Sequence, residues 1–264
     1  MQIDGFVRAM KDRAVNELLA LADSGECIER HFEFSSGHAD VTTITGGAIA
    51  KAVITSMLVR GVQIDADADE DMGLRYSEGH GSRSDAVVYQ MEVFPENPHC
   101  PMGHFNTEWL TQGSGTYFMN LDLFPAVRID EDLAQVKACM DQLADRFHVD
   151  RDAMRQGLDV HYNMAHWSTP LAAQAGCKLI GLKGEEVELF IAAYQTFFDA
   201  YLEILKLRKD TPYDDQERRL GEERNGKWLE YVTLKDDAIK SAQVSGLPAE
   251  LIIALAFPPS AAFR

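Results

Sequence analysis

AVVYQMEVF (86–94), HFNTEWLTQ (104–112) and GTYFMNLDLF (115–124) decide the fold. All three are rich in β-branched and aromatic residues, the composition of strands on a pleated, half-buried surface. QGSG (112–115) offers a hairpin turn between the last two. Working outward, HFEF (31–34), ADVTTIT (39–45), GCKLIGL (176–182) and GKWLEYVTL (226–234) read as further strands. Residues 2–24 read as an amphipathic helix, with Phe6, Met10, Leu18 and Leu21 on one face and Gly25 as its end signal. GGAIAKAVITSMLVRG (46–61) reads as an apolar helix closed by Gly61. IDEDLAQVKACMDQLADRF (129–147) is a helix with acidic residues in its first turn, where the helix dipole favours them. A second helix is expected over 149–164. EEVELFIAAYQTFFDAYLEILKLRK (185–209) places Phe190, Ala193, Phe197, Tyr201 and Leu205 at helical spacing, and AELIIALAFPP (249–259) is a short apolar helix stopped by two prolines. The expected fold is α+β: a mostly antiparallel sheet with helices on its faces. One domain is expected over 1–264, with an N-terminal helix (1–25) and a sheet-and-helix core (26–264).

The bulk properties narrow the function. The chain has 264 residues, 46% of them hydrophobic, ample for a sizeable core. Its net charge of −17 repels phosphate backbones and anionic lipid, arguing against nucleic-acid and membrane-surface roles. No apolar run approaches the roughly 18 residues of a membrane span, and no secretory pattern opens the chain. Cys27, Cys100, Cys139 and Cys177 form no CxxC pair and read as free thiols, so a cytoplasmic protein is expected. DADADED (65–71) lacks the Gly and Glu of a calcium loop, with Glu70 and Tyr76 in those places, and reads as a solvated loop. There is no GxSxG, P-loop or GxGxxG motif.

The candidate site begins at NPHCPMGHFNTE (97–108). Alternation along a strand places His104, Asn106 and Glu108 on one face, with Phe105, Thr107 and Trp109 on the other. Three polar groups in a row on one face need either solvent or partners. Asn120 and Asp122 share a face of the next strand. A hairpin loop with an odd number of residues puts His104 and Asp122 on the same face; an even number separates them. A His–Asp pair suits acid–base work near neutral pH, while Asp122 alone is also a plausible capping carboxylate. A metal site from His104, His161 and His166 is a lesser alternative, because His161 and His166 stand five apart rather than at the i, i+4 spacing of two helical ligands; one from His99 and Cys100 is lesser still, because a cysteine beside proline in a loop is more often structural. The expected metal content is none.

Several segments together resemble the oxygen-dependent coproporphyrinogen III oxidases. That family carries N-P-x-x-P-T-x-H-x-N-x-R, and this chain keeps Asn97, Pro98, Pro101, His104 and Asn106. In FMNLDLFP, Asp122, Leu123 and Pro125 match the family's G-G-G-x-D-L-T-P. AYLEILKLRKDTPYDDQER (200–218) is close to A-Y-x-x-I-x-x-R-R-K-D-x-P-Y-x-x-x-x-R, and RNGKWLEYVTL keeps Arg224, Gly226 and Glu230 of R-R-G-R-Y-V-E-F-N-L-V. QVSGLPAELIIALAFPP matches the family's end loosely. The order and spacing of the segments agree from about residue 30 onward.

The resemblance implies a large flat antiparallel sheet sandwiched between helices, usually in a homodimer. It implies oxidative decarboxylation of two propionates of coproporphyrinogen III to vinyl groups, in heme biosynthesis, with molecular oxygen and no metal or organic cofactor. His104 would manage a proton, and Asp122 would bind pyrrole N–H groups and stabilise their developing charge. Asn97, Asn106, Glu108, His166, Arg224, Lys227 and Glu230 would line the substrate site. The departures bear on the substrate. Family arginines are replaced by Glu108, Asn225, Lys227 and Leu247, yet coproporphyrinogen carries four carboxylates, which arginine grips best. Three further readings follow: a paralogue oxidising a less anionic, electron-rich ring compound; a bilin-reductase-like enzyme; and a non-catalytic tetrapyrrole binder.

Overall fold

The computed structural model describes residues 3–63, 83–111, 116–236, 239 and 246–263. Seven strands lie side by side in chain order, and every neighbouring pair is antiparallel. They are β1 (Glu26–Phe34), β2 (Gly37–Gly46), β3 (Ile49–Gln63), β4 (Arg83–Pro95), β5 (Met102–Leu110), β6 (Thr116–Phe124) and β7 (Cys177–Lys183). The helices are α1 (Ile3–Ala22), α2 (Asp130–Phe147), α3 (Leu158–His161), α4 (Val187–Arg208), α5 (Asp215–Leu234) and α6 (Ala249–Ala256). This is the expected α+β sheet between helices. Residues 65–71 and the hairpin residues 112–115 lie outside the described residues.

The sheet separates two apolar cores. On one face α1, α2 and α4 pack through Phe6, Leu133, Val136, Phe190, Phe197 and Tyr201 against Ile54, Met91 and Phe105. On the other, Trp228 and Tyr231 of α5 and Leu251 and Leu255 of α6 pack against Val41, Val53, Phe94, Met102 and Phe124. The connection from β6 to β7 changes face on the way. Met154 belongs to the first core, while Leu158 and Tyr162 belong to the second. Among the described residues, no helix is long and apolar enough to cross a membrane.

Three elements differ from the sequence expectation. Residues 46–61 form no helix; most of them lie in β3. This strand is buried on both faces, with Ile54 in one core and Val53 in the other, so it reads as a continuous apolar run. Its β-branched residues, Val53, Ile54, Thr55 and Val59, favour a strand. The paired glycines before it make the tight turn from β2, with φ of 127° at Gly46 and 51° at Gly47. Residues 226–234 form no strand; they end α5. That helix starts at a capping box, in which the Asp214 side chain accepts from the Glu217 N–H and Glu217 accepts from the Asp214 N–H. Arg224, Asn225, Trp228, Tyr231 and Val232 are its buried stripe, at helical spacing. Finally, 149–164 is not one helix. It holds a 3₁₀ turn at Ala153–Arg155, a left-handed Gly157 and the single turn α3.

Candidate active site

The pairing of β5 with β6 sets the site. Leu110 pairs with Thr116, so five residues separate the paired positions and the loop count is odd. His104 therefore lies directly opposite Asp122, and Asn106 opposite Asn120. On the other side of β5, His104 pairs with Glu92 and Asn106 with Gln90 of β4. Directly opposed side chains share a face. The face beneath α5 and α6 thus carries two polar rows, Glu92–His104–Asp122 and Gln90–Asn106–Asn120.

Hydrogen bonds within the first row run in opposite directions. His104 Nδ1 meets Glu92 Oε1 at 2.7 Å, with His104 5% and Glu92 1% exposed. The Gln90 amide donates to the same oxygen at 2.9 Å. Asp122, fully buried, turns the other way. Its carboxylate accepts from the backbone N–H groups of Gln174, Ala175 and Gly176 at 2.8, 2.9 and 3.2 Å. Burial pushes its pKa up, against the opposing pull of these amides. So His104 and Asp122 are neighbours, but the hydrogen-bonded partner of His104 is Glu92. Asp122 acts as a cap for the turn that leads into β7, the alternative anticipated for it from sequence.

His104 is boxed by aromatic rings. Phe124 stacks with it at 5.8 Å between centroids; Tyr162 and Trp228 stand at 5.3 and 5.2 Å. Trp228 is itself held by its indole N–H, which donates to the Ala256 carbonyl at 2.7 Å. Toward the far end of β5 the face opens: Asn106 and Glu108 are half-buried. The Asn106 amide donates to Glu108 at 3.3 Å, and burial raises the Glu108 pKa above its ordinary value. Five buried polar atoms on this face or against it have no hydrogen-bond partner among the described residues: Thr43 Oγ1, Thr55 Oγ1, Glu92 Oε2, Asn120 Oδ1 and the Tyr162 hydroxyl. Buried polar atoms without partners are costly, so a ligand that satisfies them is favoured here.

The remaining expected site residues fall into two other places. Asn97 is buried in the turn between β4 and β5. Its amide donates to the carbonyls of Lys209 and Thr211 at 3.2 and 2.7 Å, and its oxygen accepts from the His99 N–H at 3.0 Å. The Tyr201 hydroxyl donates to the Pro101 carbonyl at 3.0 Å. Arg224, 4% exposed, donates to the Cys100 carbonyl at 3.4 Å and to Asn225 at 3.1 Å. Burial brings its guanidinium down to about 10 and the Cys100 thiol up to about 12. His99 turns outward to Glu217 at 3.2 Å. NPHCP is thus a shaped turn, pinned by the C-terminal end of α4 and by α5.

His166, Lys227 and Glu230 gather on the solvent side of α5. His166 pairs with Glu230 at 2.6 Å, the Trp167 indole donates to Glu230 at 3.0 Å, and the Lys227 ammonium lies over the Trp167 ring while donating to Thr169. The Tyr231 hydroxyl and His161 Nε2 are 3.0 Å apart, and Tyr231 contacts Tyr162, which contacts His104. Asn225 donates to the Ser260 carbonyl and Leu247 is buried in the α5–α6 core. Among the described residues, no three His, Cys, Asp or Glu side chains converge as metal ligands.

Sequence reasoning missed Glu92, Gln90, Tyr162 and Trp228. Glu92 and Gln90 had a signal. In AVVYQMEVF the polar residues alternate with Tyr89, Met91 and Val93, which places both on one face. Trp228 was hidden by the assignment of its segment to a strand.

The coproporphyrinogen III oxidase family model matches residues 2–264, essentially the whole chain. The chain belongs to that family.

Proposed function

We propose that this member of the coproporphyrinogen III oxidase family is an oxygen-dependent oxidative decarboxylase, and that its substrate meets the sheet face bearing Glu92, His104, Asn106 and Glu108. The family is one of oxidoreductases of porphyrin biosynthesis, and it implies a small tetrapyrrole substrate. The observation that supports the reading most is the match over residues 2–264. The buried polar row supplies the chemistry it asks for. Each propionate loses CO2 and two hydrogens to become a vinyl group, while O2 takes two electrons and two protons to become hydrogen peroxide. No metal or organic cofactor enters this balance.

The protein's part is to position the substrate, exclude water and handle a proton. His104 Nε2 is the candidate proton acceptor, since Nδ1 is engaged by Glu92. Asp122 holds the turn at 174–176 against the same row and keeps that end closed. The acceptor atoms Glu92 Oε2 and Asn120 Oδ1, with the Glu108 carboxylate, suit a ligand that presents N–H donors. The expected homodimer belongs to the same proposal: β1 is an edge strand exposed along most of its length, and sedimentation velocity tests it.

A second reading is favoured by one observation. Glu108 puts a half-buried carboxylate on the open part of the face, while Asn225 and Leu247 are held in internal contacts and Lys227 bonds Thr169. A tetracarboxylate meets repulsion at Glu108. A neutral or cationic electron-rich ring compound does not. The experiment is anaerobic binding of coproporphyrinogen III followed by oxygen and mass analysis. A product lighter by two CO2 and four hydrogens supports the first reading. Failure to bind rejects it in favour of the second, and Glu108→Arg should then restore binding.

A further inference from the structure

We propose that Glu92 is a positioning residue for His104, one that fixes its ring in the Nδ1–H tautomer and leaves Nε2 as the nitrogen that takes the proton. The inference rests on the reading of His104 given above. A carboxylate oxygen only accepts hydrogen bonds, and Glu92 Oε1 already accepts from the Gln90 amide at 2.9 Å. At 2.7 Å from that oxygen, Nδ1 is therefore the donor. Nε2 has no hydrogen-bond partner among the described residues, so nothing competes for its lone pair.

The neighbouring charges leave Glu92 alone in this role. Asp122 lies on the other side of the ring in the same row, but its bonds go to the amides of residues 174–176. Glu108 is four residues along β5 from His104 and accepts from Asn106. From the helices and the β6–β7 connection, the groups against the imidazole are the rings of Trp228 and Tyr162, and β6 adds Phe124. They restrict the ring's rotation but offer no acceptor to Nδ1. Which nitrogen of a histidine carries the proton is set by the bond that the other one makes. Free imidazole side chains favour the Nε2–H form, so an Nδ1–H form at His104 is a signature that Glu92 has to impose. It is also the form that can act as a base at Nε2, as in the oriented histidines of acyl-transfer enzymes.

The test is ¹⁵N NMR of histidine-labelled protein, with the His104 signals assigned by their loss in His104→Gln. The expected wild-type pattern is a protonated Nδ1 and an unprotonated Nε2. Glu92→Gln keeps an oxygen acceptor and should keep this pattern. Glu92→Met removes the acceptor at similar volume and should shift His104 toward the Nε2–H form. With coproporphyrinogen III as substrate, kcat in Glu92→Met should fall on the order of 100-fold with KM little changed, and Glu92→Gln should recover part of the loss. An Nε2–H wild-type ring, or unchanged spectra in a folded Glu92→Met, overturns the proposal. Loss of activity in His104→Ala with unaffected Glu92 variants also overturns it while the functional reading stands. Undiminished turnover in His104→Ala sinks the functional reading, and the spectra still decide whether Glu92 sets the tautomer.

Discussion

At the scale of single residues, the buried carboxylates divide the work between structure and chemistry. Asp122 serves three amides, so Asp122→Asn leaves an NH2 group facing backbone donors. A loss of about 2–4 kcal/mol is expected from unsatisfied buried donors, read as a melting temperature lower by roughly 5–15 °C. An unchanged melting temperature would mean that these bonds hold nothing together. Glu108 shares the raised pKa of Asp122 but accepts only from the Asn106 amide, with no set of backbone donors to hold. Its folded pKa is raised above the ordinary 4.5, so the folded state holds the proton more tightly than the unfolded chain does. That contribution is fully present below 4.5 and is lost as pH rises through the folded value. Glu108→Gln should therefore match the wild type in acid and exceed it at neutral pH, by roughly 2–4 °C for each kcal/mol recovered. Equal stability of the two proteins at both pH values would show that the carboxylate is well solvated.

Among the elements, α5 is the one whose removal would open the site. Trp228 fills the space over His104 and is tied to α6 through Ala256. Trp228→Ala should cost about 3–5 kcal/mol in thermal or urea unfolding. Gly226 lets the C-terminal tail lie against the same helix: a Cβ there would stand 2.0 Å from the Ala262 carbonyl oxygen. Gly226→Ala should release residues 257–263 to limited proteolysis while circular dichroism shows the sheet intact. A tail as resistant as in the wild type would place the clash elsewhere. This helix also marks where sequence reading reached its limit. DDQE (214–217) carries a capping box, a helix-start signal in plain view. WLEYV nevertheless alternates apolar and charged residues as a strand does, and only the buried stripe from Arg224 to Val232 separates the periods. The central strands β4, β5 and β6 were legible because pattern and composition agree there. β3 was not, because a strand buried on both faces loses its alternation. The His104–Asp122 register depended on a loop count open to either parity, and the engagement of Asp122 by residues 174–176 is a contact across more than fifty residues with no local signal.

For the whole molecule, the acidic balance sets a general response. With a net charge of −17, the folded chain repels itself, and salt should relieve this. Raising NaCl from about 20 to about 200 mM is expected to raise the melting temperature by a few degrees through screening over a Debye length of roughly 10 Å. A fall would point to ion pairs such as Arg208–Asp132, bonded twice at 2.8 Å between α4 and α2, as the larger effect. The seven strands in chain order make mostly neighbouring pairs, yet the bonds from Asp122 span 52, 53 and 54 residues. Closing a loop of that length is slow compared with zipping a hairpin. Refolding should therefore bring β2 to β6 together first and seat the turn at 174–176 afterwards. The consequence is kinetic: a partly refolded chain shows native-like strand signals while its histidine pocket is still wet, and competence for substrate arrives last.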